Sequence, residues 1–295
     1  MFHGIIPAII TPFQRTDQMP VDIEGLRSNT EFLQSQGIHG IVPCGSTGES
    51  ATLSFAEHEE VIEEVVSAVG NSIPVIAGTG SNNTDEALTL TRAAKKIGAD
   101  AALVISPYYN KPNRAGLIKH YTLLAETGLP IIIYNVPSRT GQNLTADLII
   151  ELAEHPGIVG VKEASGDIGQ ISQIIEGTRE IEREIPFSVL SGDDNMTLPI
   201  LALGGMGVIS VAANLEAKRM CDLYAACRSG SFARAQHLHY ELSPLFQAMF
   251  IDTNPIPVKK GVELRGRAAG PLRLPLTELG EEKTHQLAEV LGRYD

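Results

Sequence analysis

The chain has 295 residues, of which 43 % are apolar and 20 % charged, with a formal net charge of −12. That length allows one large domain or two small ones, and it buries about three quarters of its unfolded surface without disulfide staples. The acidic balance and the lack of any basic cluster argue against nucleic acid and anionic membrane as partners, so an anionic substrate would need positive groups supplied locally.

Cys44, Cys221 and Cys227 are too few for a disulfide framework and fit no zinc spacing, which suits a reducing, cytoplasmic setting. Pro7 and Pro12 interrupt the first apolar stretch, no basic segment precedes it, and no apolar run reaches membrane-spanning length. Neither a signal peptide nor a membrane anchor is expected.

From the N-terminus, short β-branched runs recur: GIIPAII (4–10), GIVPC (40–44), PVIAG (74–78), AALVIS (101–106), PIIIYN (130–135), IVGVK (158–162), FSVLS (187–191) and GVISV (207–211). Amphipathic segments follow them at 22–36, 54–69, 84–97, 114–126, 145–154, 168–180, 194–203 and 214–229. Eight strands alternating with eight helices predict an α/β fold, a (β/α)₈ TIM barrel, with an open doubly wound sheet as the competing layout. Ser54 with Glu57 forms a capping-box pattern, and Thr84, Thr145 and Asn214 read as further N-caps. Residues 1–230 are thus expected to form the barrel that carries the site. Residues 231–295, helical in period and broken at NPIPVK, are expected to form a C-terminal helical extension.

Barrels concentrate chemistry at the C-terminal ends of their strands. GSTGE (45–49), PYYN (107–110), Tyr134 with the following NVPSRTG, Lys162 and SGDD (191–194) all fall there, whereas GGMGVIS (204–210) enters its strand from the other end. Strict alternation puts Ile158, Gly160 and Lys162 on one face of IVGVK, and Val159, Val161 and Glu163 on the other. Gly160 would then leave room for the lysine stem and a ligand. A lysine facing a barrel lumen loses hydration, its pKa falls, and the neutral amine can attack a carbonyl. The bland reading is a lysine snorkelling at a strand end.

Tyr134 on the neighbouring strand suits proton relay or simple core packing. GSTGE offers backbone N–H groups and the hydroxyls of Ser46 and Thr47 to a carboxylate, or is an ordinary turn. Arg139 carries a fork suited to a carboxylate, or is a surface charge. His237 and His239 face opposite sides of a helix, Asp193 and Asp194 lack companions at ligand spacing, and GTGSNN lacks the lysine of a nucleotide loop. No metal and no cofactor are expected.

Taken together, GSTGE, PVIAGTG, SPYYNKP, YNVPSRTG, GVKEASGD, SGDD, GVISVAAN and NPIPVK resemble the pyruvate-dependent class I aldolase family over nearly the whole chain. The resemblance is to the branch that condenses pyruvate with L-aspartate 4-semialdehyde on the diaminopimelate route to lysine. It implies Lys162 as the Schiff-base residue and Tyr134 as the acid/base, relaying protons through Thr47 and Tyr109. It also implies that Tyr109 reaches across a tight dimer within a homotetramer, a dimer of dimers. Ser46 and Thr47 would grip the pyruvate carboxylate, with backbone contacts from Gly192 and Ile209, and Arg139 would hold the second substrate. Ser46 stands where threonine is common. Ser50, Ala51, His58, Asn82, Glu86 and Tyr108 match a lysine-effector pocket, although Phe55 replaces a histidine of one inhibited type. The rival readings are a sibling lyase, such as N-acetylneuraminate lyase or a 2-keto-3-deoxygluconate aldolase, and a non-catalytic barrel that binds a keto acid. The arginine of YNVPSRTG speaks against the first, and an intact proton relay against the second.

Overall fold

A computed structural model describes residues 1–295. Seven parallel strands form one sheet: β1 (Gly4–Pro7), β2 (Ile76–Gly78), β3 (Ala101–Ile105), β4 (Ile131–Asn135), β5 (Ile158–Glu163), β6 (Ser188–Ser191) and β7 (Gly207–Ser210). Their order, β1-β7-β6-β5-β4-β3-β2, sets the first strand beside the last, as a ring requires.

The expected second strand is not a regular strand. Segment 40–44 joins the two sheet edges through single parallel bridges, Ala8 to Val42 and Ile41 to Val75. Five hydrogen bonds close the gap: Val42 N to Pro7 O, 2.8 Å; Ile9 N to Val42 O, 3.0 Å; Ile41 N to Pro74 O, 3.0 Å; Ile76 N to Ile41 O, 2.9 Å; and Gly78 N to Pro43 O, 2.9 Å. Pro43 has no N–H to extend the ladder, and Cys44 turns into the left-handed region at φ 56°. The ring closes, but its eighth member is only bridges long.

Ile6, Ala8, Val42, Ile76, Leu103, Ile132, Leu190 and Ile209 fill the lumen, while the opposite strand faces pack against the surrounding helices. Side-chain alternation in β5 departs from the expected pattern. Pairing with β4 jumps from Ile131–Ile158 to Ile132–Gly160, leaving one β5 residue unmatched, which is a bulge. Ile158 therefore packs with the outer core and Val159 against the lumen, the reverse of strict alternation. Lys162 still faces inward and Glu163 outward. Gly160 serves the sheet rather than the ligand, because a Cβ there would lie 2.6 Å from the Ser188 carbonyl oxygen of β6.

The eight crossover helices are Ile23–Ser35, Phe55–Val69, Thr84–Ile97, Arg114–Ala125, Ala146–Ala153, Ile168–Arg179, Thr197–Ala202 and Ala213–Arg228, with an extra turn at Pro137–Thr140. Ser54 and Glu57 form the reciprocal capping box. Two other cap readings are corrected. Asn83 caps the third helix, freeing the Thr84 hydroxyl to bond His120 Nδ1 at 2.9 Å. Asn214 lies inside its helix and donates to the Ala8 and Val211 carbonyls, because that helix begins one residue earlier. Thr145 holds the cap position of its helix without a side-chain capping bond. Phe232–Ala248, Ile256–Leu264 and Glu281–Leu291 follow the barrel. No helix is long and apolar enough to cross a membrane.

Candidate active site

Lys162 and Tyr134 are register partners on β5 and β4, only 6 % and 8 % exposed. The Lys162 Nζ lies 4.1 Å from the centre of the Tyr134 ring. Burial pushes this amine down to about 7, the nearby Arg139 charge pushes the same way, and the Asp194 carboxylate resists. Near neutral pH a large share of Lys162 is therefore an uncharged nucleophile. Burial also raises the Tyr134 phenol to about 12, with Arg139 opposing, so it keeps its proton and can donate it.

These groups open into a cavity of about 170 Å³ that is also lined by Ser46, Thr47, Arg139, Gly192 and Asn254. Its size suits a metabolite of a few carbons rather than a nucleotide cofactor. Gly192 follows β6, and a Cβ there would stand 2.6 Å from the Ala164 Cβ and 3.2 Å from the Lys162 Cε, so any side chain would first collide with Ala164 and then crowd the lysine stem. Ile209 does not line the cavity. It is fully buried beneath it, packed in the lumen.

The GSTGE loop folds as a tight turn, with Gly48 N and Ser50 N both bonded to Gly45 O. A Cβ on Gly48 would meet Ile9 O and Cys44 N at 3.1 and 3.2 Å, so the last glycine is fixed by close backbone approach. Thr47 is buried, and its Oγ1 accepts from Asn254 Nδ2 at 3.0 Å. Glu49, held at φ 53°, sends its carboxylate away from the cavity to Lys259 Nζ at 2.5 Å and Arg273 N at 3.1 Å. Arg139 rides the short turn after β4 and donates from Nη2 to the Asn254 carbonyl at 3.0 Å.

Tyr109 is not brought to the cavity of its own chain. It is 89 % exposed, with a left-handed backbone at φ 72°. Ser50, Ala51, His58, Glu86 and Tyr108 line a second cavity of about 420 Å³, with Phe55 beside them. Asn82 does not line it but donates to the Tyr108 carbonyl at 3.1 Å. His58 spends its Nε2 on Gly78 O at 2.7 Å, and burial lowers its pKa, so it is a neutral donor there.

Asp193 and Asp194 separate in role. Asp193 caps the turn that follows, bonding Asn195 N at 2.9 Å. Asp194 is wholly buried, accepts from the Ser210 hydroxyl and from Val211 N and Ala212 N, and is pushed up to about 6, chiefly by burial. No cluster of three or more His, Cys, Asp or Glu is placed to hold a metal ion. Cys44 is packed at 2 % exposure with its thiol pKa raised by burial.

Sequence reasoning missed Asn254, Asp194 as the electrostatic neighbour of Lys162, and the Glu49–Lys259 pair. The NPIPVK break and the terminal acid of GSTGE were the available signals.

The sequence profile described as the dihydrodipicolinate synthetase family matches residues 1–293. A relative from Methanoculleus marisnigri, named 4-hydroxy-tetrahydrodipicolinate synthase, is 68 % identical over 99 % of each chain. The crystal structure of dihydrodipicolinate synthase from Aquifex aeolicus superposes with a TM-score of 0.94 at 47 % identity, covering 99 % of this chain and 98 % of that one. A dihydrodipicolinate synthase variant described as monomeric superposes at 0.95 with 38 % identity, covering 99 % and 96 %.

Proposed function

The chain belongs to the dihydrodipicolinate synthetase family, and from that membership we propose how its residues join pyruvate to L-aspartate 4-semialdehyde. It is a lyase of the class I aldolase type, forming 4-hydroxy-tetrahydrodipicolinate for lysine synthesis. The carrying observation is Lys162: a buried amine at the mouth of a closed ring, pushed down to about 7 and set against the Tyr134 ring.

The neutral Lys162 amine adds to the C2 carbonyl of pyruvate, and water leaves to give an imine. Loss of a C3 proton gives the enamine, whose C3 attacks the aldehyde carbon of the second substrate and forms the C–C bond. The amino group of that substrate then adds to C2, and the Lys162 amine departs as the ring closes. Tyr134, kept protonated by burial, donates to developing oxyanions and recovers protons through Thr47 and the Tyr109 of a neighbouring copy. Ser46 and Thr47 with their backbone N–H groups hold the pyruvate carboxylate, the Gly192 backbone borders it, Ile209 supports the cavity floor from the lumen, and Arg139 takes the carboxylate of the semialdehyde.

An exposed Tyr109 that cannot serve its own cavity supports pairing with a second copy, the unit from which the homotetramer, a dimer of dimers, would be built. The cysteines are unpaired, which supports a cytoplasmic location. The second cavity, lined by Ser50, Ala51, His58, Glu86 and Tyr108, with Asn82 behind it on the Tyr108 carbonyl, is the proposed lysine-effector site, with Phe55 lowering its polarity.

The test is a coupled assay with pyruvate and L-aspartate 4-semialdehyde, run beside N-acetylneuraminate and 2-keto-3-deoxygluconate. Steady turnover is expected only with pyruvate and the semialdehyde together, and not with either sugar acid. Faster use of either sugar acid would move the chain to a sibling lyase, and binding of pyruvate without turnover would make it a mere keto-acid receptor.

A further inference from the structure

Glu163 follows Lys162 on β5 and is 1 % exposed, yet its carboxylate is held only by neutral N–H groups. Oε1 accepts from Ser165 N at 2.7 Å, and Oε2 from Gln170 Nε2 at 3.3 Å. Asn135 Nδ2 spans both oxygens, at 3.2 and 3.0 Å. Asn135 is the register partner of Glu163 on β4, one position beyond the Tyr134–Lys162 pair. The Glu163 carbonyl also accepts from Gly192 N at 2.7 Å. The cluster therefore ties the ends of β4, β5 and β6 together immediately behind the lysine cavity.

The amides of this cluster cannot exchange roles. Asn135 Oδ1 accepts from Leu144 N at 3.0 Å, which turns its Nδ2 to the carboxylate. Asn135 Nδ2 also donates to Asn143 Oδ1 at 2.8 Å, and Asn143 Nδ2 to Gln170 Oε1 at 2.8 Å. Reversing any one amide sets donor against donor or acceptor against acceptor. No side-chain nitrogen or oxygen of the four residues is buried without a partner.

A buried carboxylate without a cation is costly, so its place in the fold asks for a reason. The strand supplies one. IVGV is apolar on both faces and bulged near its start, so burial alone does not say which residue of its end faces inward. A shift by one residue would turn Lys162 into the helix layer and Glu163 into the lumen. The outer cluster separates the two settings: in one the carboxylate meets three donors, in the other an apolar lumen.

We propose that Glu163 is a positioning residue: by pinning the end of β5 to Asn135 of β4, it holds the Lys162 amine inside the cavity against Tyr134. The inference rests on the reading of Lys162 as the imine-forming residue and adds no step to the reaction.

Two measurements test it. Borohydride trapping with pyruvate follows imine formation on Lys162, and competitive acetylation of the ligand-free enzyme follows the titration of the same amine without any substrate. Glu163→Gln sets an amide N–H against Asn135, which Leu144 N prevents from turning. Trapping should slow about 100-fold, the loss that a misplacement of about 1 Å can bring. Lys162 should titrate above the parent value of about 7, because a loosened amine regains water. The sign is diagnostic, since a Glu163 that acted only as a negative charge would, once neutralised, let the titration fall. Adding Asn135→Asp returns an acceptor to the new amide and leaves Leu144 N its own, so both readouts should move back toward the parent. Gln170→Met removes one of the three donors and should shift both readouts the same way by less, which serves if Glu163→Gln does not fold. Circular dichroism melts show which variants are folded. Parent-like trapping in the folded variants, a Lys162 titration that stays or falls, or a double variant no better than Glu163→Gln would overturn the proposal. Borohydride label on another residue of the parent would overturn the reading of Lys162 instead, and the substrate-free titration would still decide whether Glu163 holds that amine in place.

Discussion

At the scale of single residues, Lys162 is where structure and chemistry conflict most. Folding removes the amine from water and gives it no carboxylate in contact, so its pKa falls from 10.5 to about 7. Between those two values the unfolded chain holds a proton that the folded chain lacks, so stability rises with pH across that window. Below about 7 both states are protonated and the full penalty of a buried charge is present. Lys162→Met keeps the stem and removes the charge. It should be more stable than the parent at pH 6 by several kcal/mol, since each tenfold loss of proton affinity on folding is worth about 1.36 kcal/mol. The gap should shrink steadily toward pH 10. Urea unfolding at fixed ionic strength measures this, and a gap that does not change with pH would show that Lys162 is not the strained group. The same residue was the most legible in the sequence. A lysine directly after IVGV raises the question by itself, and Tyr134 and Arg139 are recognisable because strand ends on one rim share a site. Asn254 is not legible that way: its contact with Thr47 spans 207 residues, and the NPIPVK break that contains it marks a chain turn without pointing to the strand ends.

At the scale of elements, helix positions came close to the sequence reading because each helix has a polar face to set its period. The strands were harder for a physical reason. IVGV is apolar on both faces, as buried parallel strands are, so hydrophobicity cannot report which residue is skipped in a bulge. The β5 bulge was therefore invisible, whereas the bridge-length second strand was marked by Pro43 within GIVPC and went unread. The buried ionic link between the GSTGE loop and helix Ile256–Leu264 had both its charges in view, in GSTGE and NPIPVK, but nothing in the sequence pairs them across 210 residues. Glu49 and Lys259 are 0 % and 2 % exposed as side chains, and the Lys259 Nζ also stacks 4.1 Å from the Phe13 ring. This pair anchors the loop that presents Ser46 and Thr47. Lys259→Met would leave a carboxylate buried without its cation, at a cost of about 3–5 kcal/mol. Combining it with Glu49→Gln should recover part of that loss, because no net charge then stays buried. Denaturant midpoints of the parent, both single variants and the double variant test it. Losses that simply add would mean the two side chains are not coupled.

At the scale of the whole molecule, a net charge of −12 repels anionic substrates, and the capture of two carboxylates falls to a few local donors. One group assigned to the proton relay is missing from the cavity of its own chain. Tyr109 stands 89 % exposed on a left-handed backbone, an arrangement that is costly for a bulky side chain unless something outside the chain uses it. In the proposed dimer, a second copy related by a two-fold axis would supply that use reciprocally, each chain lending its tyrosine to the other. Two variants make the geometry measurable: Lys162→Ala, which lacks the nucleophile, and Tyr109→Ala, which lacks the lent phenol. Each alone should be strongly impaired. In mixed pairs, the site built on the Tyr109→Ala chain keeps its own Lys162 and receives an intact Tyr109 from its partner. Random re-pairing of equal amounts makes half the pairs mixed, each with one complete site of two, so activity should return to about a quarter of the parent value. If Tyr109 acts within its own chain, mixing yields only the average of the two impaired proteins, because no pairing can then build a complete site; if it takes no part, Tyr109→Ala alone keeps the parent activity.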